Sequence, residues 1–114
     1  MLTIWHNPRC RKSRETLALI EDAGVPVTCR KYLENAPERD EILSVLAQLG
    51  FEDPRSLIRK RERIYKEMDL KSVKSAEILI DAMVNHPILI ERPVVFDGKK
   101  ACIGRPPEVV KTLF

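Results

Sequence analysis

The feature that most constrains the fold of this 114-residue chain is an apolar stretch joined by a polar turn to an amphipathic segment. The run Leu2–Trp5 predicts a β-strand, and apolar residues at helical spacing predict a helix over Arg11–Ala23, ended by Gly24. Cys10 lies in the turn between them. The free N–H groups of a helix N-terminus favour a thiolate, which is the nucleophilic form of cysteine. We therefore interpret Cys10 as the reactive residue of an enzyme that acts on a small oxyanion.

Basic residues surround this turn: Arg9, Arg11, Lys12 and Arg14. Their positive charges also favour a thiolate. The alternative is a structural cysteine at the end of a strand. Cys10 is flanked by polar and charged residues rather than by an apolar run, and this favours the reactive interpretation.

The elements that follow predict a mixed α/β fold. A second strand at Val25–Tyr32 completes a βαβ unit with parallel strands. Residues from about 36 to 86 predict helices, and the apolar run Pro87–Ile90 predicts a return to strand. Val94–Phe96 and Ala101–Ile103 predict an antiparallel pair around Asp97-Gly98, and a final helix follows Gly104.

This order is that of a thioredoxin-like domain. We expect a single domain over residues 1–114, with a mixed four-stranded sheet flanked by helices and a helical segment, about residues 36–86, inserted between the second and third strands. Such folds keep a proline beside the active cysteine, commonly after a cis peptide bond. We predict that Pro93 is this proline and that the Arg92–Pro93 bond is cis.

Two polar residues near Cys10 have two interpretations each. Ser13 stands where redox thioredoxin-like proteins often have a second cysteine, and its hydroxyl bonds either to the Cys10 sulfur or to the backbone of the first helical turn. His6 is either a histidinium that lowers the pKa of Cys10 or a loop histidine bonded to the backbone. Cys29 and Cys102 lie in apolar strands and are expected to be buried and inert, so an external thiol must resolve any Cys10 adduct.

Three arginines in the distal half are candidates for binding an anion: Arg59, Arg92 and Arg105. A guanidinium presents a planar fork that matches an oxyanion, and prolines follow two of these arginines directly. The alternative is ordinary surface pairing, for instance with Glu91 or Glu108.

Composition excludes several classes of function. The net charge of +3 is not concentrated in an unbroken basic run, and aromatic residues make up only 5% of the chain, so we expect no nucleic-acid partner. No apolar stretch reaches the length of a membrane span, and we expect no signal peptide. Three cysteines and two histidines form neither a disulfide framework nor a metal-ligand grouping. A cytoplasmic protein without a bound metal is therefore expected.

The chain resembles the glutaredoxin-coupled arsenate reductase family, also called the ArsC family. The resemblance covers nearly the whole chain, and four segments carry it: His6–Arg14, Leu57–Arg59, Pro87–Val95 and Gly104–Val110. It implies a thioredoxin-like fold with a helical insert and a nucleophilic Cys10. The residues that it implies beside the nucleophile are His6 and Ser13, and those that it implies for substrate binding are Arg59, Arg92 and Arg105.

The activity that this resemblance implies is the reduction of arsenate to arsenite. Glutathione and glutaredoxin would act as co-substrates, without a bound cofactor. Arg11 and Lys12 stand where reductases of the family carry small residues, which leaves the preferred oxyanion open. Two alternatives remain: a glutathione-dependent thiol oxidoreductase with no arsenic role, and a redox regulator related to the Spx proteins, which bind RNA polymerase. The CxxC switch usual in the Spx proteins is absent here, because Ser13 replaces its second cysteine.

Overall fold

The computed structural model describes residues 1–114, and the chain divides into two compact units. The first unit comprises Met1–Asn35 and Arg92–Phe114, and the second comprises Ala36–Glu91. The second unit contains the helices predicted between the second and third strands.

The first unit is built on a mixed four-stranded sheet, as predicted. Its strands are β1 (Leu2–Trp5), β2 (Val27–Arg30), β3 (Val94–Phe96) and β4 (Ala101–Ile103), arranged in the order β2-β1-β3-β4. The β1–β2 pair is parallel, whereas β3 runs antiparallel to both β1 and β4. Trp5 at the end of β1 lies opposite Arg30 of β2 and Val94 of β3. Residues that directly follow β1 and β2 therefore share one end of the sheet with those that precede β3.

The helix α1 (Arg11–Asp22) and a C-terminal 3-10 helix (Pro107–Leu113) pack against each other in this unit. Their apolar residues Ile20 and Val110 are fully buried together with Ile4 and Val95 of the sheet. This cluster joins the helical layer to the sheet, and burial of such side chains is the main stabilising contribution to the fold.

The strand β2 lies at the edge of the sheet and corrects one prediction. Cys29 in β2 is exposed, not buried as expected, whereas Cys102 in β4 is buried, as expected. Alternation of residue types indicates that a strand has two faces, but it does not indicate whether a second layer covers each face. At Cys29 the side chain lies on an uncovered surface.

The second unit contains three α-helices and three short 3-10 helices. The α-helices are α2 (Arg39–Leu49), α3 (Arg63–Glu67) and α4 (Ala76–Asn85), and the 3-10 helices span Pro54–Leu57, Leu70–Ser72 and Pro87–Leu89. Arg39 of α2 forms ion pairs with Glu77 and Asp81 of α4. None of the chain's helices has the length and apolar character required to cross a membrane.

The second unit also corrects a strand prediction. The apolar run Pro87–Ile90 forms a 3-10 helix over Pro87–Leu89, and only Ile90 makes an isolated bridge, to Ile58. Pro87 occupies the first helical position, where its missing N–H group costs nothing. The N–H groups of Leu89 and Ile90 bond back to His86 and Pro87 instead of joining a sheet. Leu89 and Ile90 are fully buried whereas Ile88 is exposed, so this apolar run in the sequence did not indicate a strand.

Candidate active site

Cys10 is the N-cap residue directly before α1, and its position is fixed by backbone hydrogen bonds. Its N–H group donates to the carbonyl of Asn7 (3.0 Å), and its carbonyl accepts from the N–H group of Arg14 (3.0 Å). The side chain is partly buried, and the N–H groups of Lys12 and Ser13 hydrogen-bond to its sulfur. The first turn of α1 therefore directs at the thiol those N–H groups that have no hydrogen-bond partner within the helix. A helix N-terminus binds an anion in the same way.

Two arginines from the C-terminal part of the first unit reach the same sulfur. Nη2 of Arg105 lies 3.6 Å from Sγ of Cys10, and the guanidinium of Arg92 hydrogen-bonds to that sulfur. Nε of Arg105 donates to the carbonyl of Arg92 (2.9 Å), which ties the two segments together. This agrees with the predicted convergence of these two arginines on Cys10. The Arg92–Pro93 bond is cis, as predicted, and the Arg105–Pro106 bond, for which no prediction was made, is also cis.

These contacts favour the thiolate form of Cys10. Partial burial alone would raise the pKa of Cys10, but hydrogen bonds from the N–H of Ser13, the Arg92 side chain and the N–H of Lys12 outweigh it. The pKa of the thiol is lowered as a result, with a further contribution from the positive charge of Arg92. By contrast, burial raises the pKa of Cys102 to about 11 and also raises the pKa of Cys29. Cys10 is therefore the thiol prepared for nucleophilic attack.

Arg92 is held in an unusual environment for a cation. Its Nε and Nη1 atoms are shielded from solvent and have no hydrogen-bond partner of good geometry in the protein. Most buried donors in proteins are satisfied, and exceptions require a functional or structural reason. A guanidinium that the scaffold leaves partly unpaired beside a thiol is typical of a site that binds an anion.

The structure supports neither of the two interpretations of the Ser13 hydroxyl. The hydroxyl of Ser13 is fully buried, lies 2.6 Å from Nδ1 of His6 and accepts a hydrogen bond from the N–H of Asn7 (3.0 Å). It bonds to the turn that precedes Cys10, and the interaction of Ser13 with the sulfur is made by its backbone N–H. Ser13 therefore shapes the reactive turn from within.

His6 is buried and has only 6% of its surface exposed. Burial lowers the pKa of His6, and the nearby positive charges of Lys31 and Arg14 lower it further, so the ring is neutral at pH 7. Nδ1 of the neutral ring and the Ser13 hydroxyl share one hydrogen bond, in which the tautomer of the ring decides the donor. This arrangement favours a supporting role for His6 over a histidinium that stabilises the thiolate by charge.

Gly104, which sequence reasoning did not single out, allows the segments around the site to pack closely against each other. A Cβ atom at Gly104 would lie 2.4 Å from Oγ1 of Thr16 in α1 and 2.9 Å from Cγ of Pro93. The N–H of Gly104 donates to the carbonyl of Pro93 (2.9 Å). The absence of a side chain at Gly104 thus lets α1 and the segment around Pro93 approach closely. The Gly-Arg-Pro order at 104–106 was a sequence signal for this position, but its meaning depends on tertiary contacts.

The basic residues around Cys10 lie mostly on the surface. Arg11 and Lys12 are exposed, and Nε of Arg11 pairs with Glu15 one helical turn away (2.8 Å). Arg14 donates from Nη1 to the carbonyl of Pro8 (2.9 Å). The charges that contact the thiol thus come from Arg92 and Arg105, while those beside Cys10 in sequence are solvated.

Arg59 belongs to the second unit, where carboxylates neutralise it. Its Nε lies 3.1 Å from Glu62 and its Nη1 lies 3.8 Å from Glu91. Its backbone N–H donates to the carbonyl of Leu89 (2.7 Å), and its side chain is only 18% exposed. Glu91 therefore pairs with Arg59 rather than with the adjacent Arg92. A role of Arg59 in binding substrate stays a prediction.

Comparison with known proteins gives consistent matches over nearly the full chain. Residues 5–113 match the ArsC family. The chain is 43% identical over 108 residues to a protein named arsenate reductase from Haemophilus influenzae, and the match covers 94% of this chain and 93% of that protein. It is 48% identical over 108 residues to a protein of Escherichia coli K12 whose name assigns no activity, with 94% and 91% of the two chains covered.

The fold matches a solved structure equally well. The structure of an arsenate reductase from Vibrio cholerae superposes with a TM-score of 0.96 at 44% sequence identity, covering 99% of this chain and 97% of that chain. The mixed four-stranded sheet flanked by helices is thus that of a known thioredoxin-like architecture.

Proposed function

This chain belongs to the ArsC family, and from that premise we propose that it reduces arsenate to arsenite with Cys10 as the nucleophile. The observation that supports this proposal best is the environment of one sulfur atom. Backbone N–H groups, Arg92 and Arg105 all approach Sγ of Cys10. The nucleophilic thiolate therefore lies directly beside the positive charge that an oxyanion requires.

In the first step the Cys10 thiolate attacks arsenic(V), forms a sulfur–arsenic bond and displaces an oxygen of arsenate as water. Two protons from solvent accompany the departing oxygen. The guanidinium groups of Arg92 and Arg105 neutralise the oxyanion, which would otherwise be repelled by a thiolate. They also stabilise the charge that develops in the transition state.

Glutathione then attacks the arsenic of the adduct through its thiol, forms a second sulfur–arsenic bond and displaces a second oxygen as water. The thiol of glutaredoxin attacks the glutathione sulfur and forms a mixed disulfide, and the electron pair of the broken sulfur–arsenic bond reduces arsenic(V) to arsenic(III). Water then cleaves the Cys10–arsenic bond and releases arsenite. The balance is that arsenate and two thiols give arsenite, one disulfide bond and water. The two electrons come from the thiols of glutathione and glutaredoxin, and Cys10 returns as a thiolate. We expect no bound cofactor, and we assign the protein to the cytoplasm, where both thiol partners stay reduced.

His6, Ser13 and Arg59 have more limited roles in this proposal. His6 and Ser13 hold the turn in which Cys10 lies, through the hydrogen bond between Nδ1 and the serine hydroxyl. Arg59 is proposed as a third arginine for the oxyanion on the basis of the family resemblance. Its pairing with Glu62 and Glu91 means that binding through Arg59 competes with two carboxylates.

A coupled assay tests this function. NADPH consumption is followed in the presence of glutathione, glutaredoxin and glutathione reductase, with arsenate as the variable substrate and arsenite measured as product. Wild-type protein should consume NADPH only when arsenate is present, and Cys10→Ser should be inactive. Cys29→Ser is the matched control, because Cys29 is an exposed thiol whose pKa is raised.

The same assay distinguishes the thiol oxidoreductase alternative. If the wild-type protein turned over a small glutathione mixed disulfide and left arsenate unreduced, the chain would be a thiol oxidoreductase without an arsenic role. If Cys10→Ser retained arsenate reduction, the nucleophile would be elsewhere.

A further inference from the structure

Tyr32 is a fully buried phenol that the proposed chemistry does not use. It follows β2 by two residues and has 0% of its surface exposed. The Tyr32 hydroxyl oxygen itself is buried. Burial of a phenol hydroxyl costs free energy unless a polar group accompanies it. The polar groups near Tyr32 therefore indicate the role of this residue.

The register of the sheet brings Tyr32 to the reactive end of the first unit. Arg30 of β2 and Val94 of β3 both lie opposite Trp5, and the N–H of His6 donates to the carbonyl of Arg30 (2.8 Å). Tyr32 is two residues beyond Arg30, and Arg92 is two residues before Val94. Both side chains thus project from the end of the sheet at which β1 leads into the Cys10 turn.

The phenol and the guanidinium are partners at this place. Burial alone would lower the pKa of Arg92, but its interactions with Cys10 and with Tyr32 outweigh that effect and raise it. Nε and Nη1 of Arg92 and the hydroxyl oxygen of Tyr32 are each shielded from solvent. The interaction with Cys10 engages the same side chain.

We propose that Tyr32 is a positioning residue: its buried phenol holds the guanidinium of Arg92 against the Cys10 sulfur, so that the arginine charge is in place before an oxyanion binds. An arginine side chain has several rotatable bonds, and ordering it costs free energy unless another group fixes it. A buried phenol just beyond the end of β2 supplies that constraint. Tyr32 acts through Arg92 and is not assigned any contact with substrate.

Tyr32→Phe removes only the hydroxyl and keeps the ring that fills the core. Its first readout is the rate of Cys10 alkylation by iodoacetamide against pH, in a Cys29→Ser background. The midpoint should move upward relative to the parent, because Arg92 stabilises the thiolate less well when it is not held. This readout does not depend on arsenate chemistry, so its result is separate from the success or failure of the proposed function.

The second readout rests on the proposed arsenate reduction. The KM for arsenate should rise about 3- to 10-fold in Tyr32→Phe, the usual effect of losing one buried polar interaction, while kcat changes less. The matched control is Tyr65→Phe, since Tyr65 is the chain's only other tyrosine and its buried phenol accepts from Nη1 of Arg55 (2.7 Å) in the second unit. This control loses the same kind of contact and should leave the alkylation midpoint and KM unchanged.

A spectroscopic test keeps the proposal falsifiable if Tyr32→Phe does not fold. Protein labelled with ¹³Cζ-tyrosine gives two signals, because the chain has two tyrosines, and Tyr65→Phe assigns them. Arg92→Ala should shift the Tyr32 signal and leave the Tyr65 signal in place. An unmoved Tyr32 signal would overturn the proposal. So would a folded Tyr32→Phe protein with an unchanged alkylation midpoint, because a merely structural tyrosine would affect stability without affecting the thiol.

Discussion

Gly104→Ala is a sharp test of how the site is assembled, because the structure gives the collision directly. The new Cβ would lie 2.4 Å from Oγ1 of Thr16 and 2.9 Å from Cγ of Pro93. Comfortable contacts between such atoms are about 3.5–4.0 Å, so the alanine must push both neighbours by roughly 1 Å. Neither neighbour is a flexible surface side chain, since Thr16 and Pro93 are both buried.

The cost can be worked out in two parts. Overpacking of a well-packed interior costs about 1–3 kcal/mol. Displacement of Thr16 also threatens its hydrogen bond to the carbonyl of Lys12 (2.8 Å), a further contribution of about 0.5–1.5 kcal/mol. We therefore expect Gly104→Ala to lower the free energy of unfolding by about 1.5–4.5 kcal/mol, which is a large part of the roughly 5–15 kcal/mol available to a small protein.

Urea unfolding followed by the fluorescence of Trp5, the only tryptophan, measures this change. Thr16→Ala removes the atoms that meet the new Cβ most closely, so the double variant should be less destabilised than the sum of the two single variants. Additivity of the two losses within about 0.5 kcal/mol would refute the steric argument. A loss below about 0.5 kcal/mol for Gly104→Ala alone would refute it as well.

Three further predictions concern the chemistry of the site. Arg92→Ala and Arg105→Ala should each raise the arsenate KM at least about 10-fold, the effect of losing a charge-assisted hydrogen bond. Lysine at either position should restore little, because an ammonium lacks the planar fork of a guanidinium. Full rescue by lysine in steady-state kinetics would contradict this prediction. Arg59→Ala should raise the arsenate KM. Arg39→Ala is the control, since it also removes an arginine paired with two carboxylates in the second unit, and it should leave the KM unchanged. Equal effects in the two variants would remove Arg59 from the oxyanion site. Cys29→Ser with Cys102→Ser should leave arsenate reduction largely intact, and loss of activity in a double variant shown by circular dichroism to be folded would indicate an internal resolving thiol.

The reactive turn and the first helix were predictable because their signals are local. Leu2–Trp5 is a strand with the predicted bounds, and α1 begins at Arg11 and ends one residue before the predicted position. Cys10 therefore lies at the helix start, as its place between an apolar run and an amphipathic segment indicated. Periodicity and helix-ending residues lie within a few positions of what they determine.

The partners of Cys10 were predictable only in part. Arg105 is separated from Cys10 by 95 positions, and no periodicity joins residues so far apart. The expectation rested on guanidinium chemistry, on the adjacent proline and on the family resemblance. Gly104 and Tyr32 were missed for a similar reason, because each interacts with a residue far away in sequence, Thr16 for Gly104 and Arg92 for Tyr32. The 3-10 helix at Pro87–Leu89 and the exposed Cys29 were mispredicted because burial by a neighbouring layer cannot be deduced from local pattern.

The central claim is that the fold activates the thiol of Cys10 and pairs it with positive charge. The most direct test is the rate of alkylation by iodoacetamide against pH in the Cys29→Ser, Cys102→Ser variant, with and without arsenate. Because the folded protein lowers the pKa of Cys10, the alkylation rate should rise through a midpoint below the free-thiol value of about 8.5. Bound arsenate should move that midpoint upward by cancelling the charge of the arginines. A midpoint at or above about 8.5 that does not respond to arsenate would contradict the account.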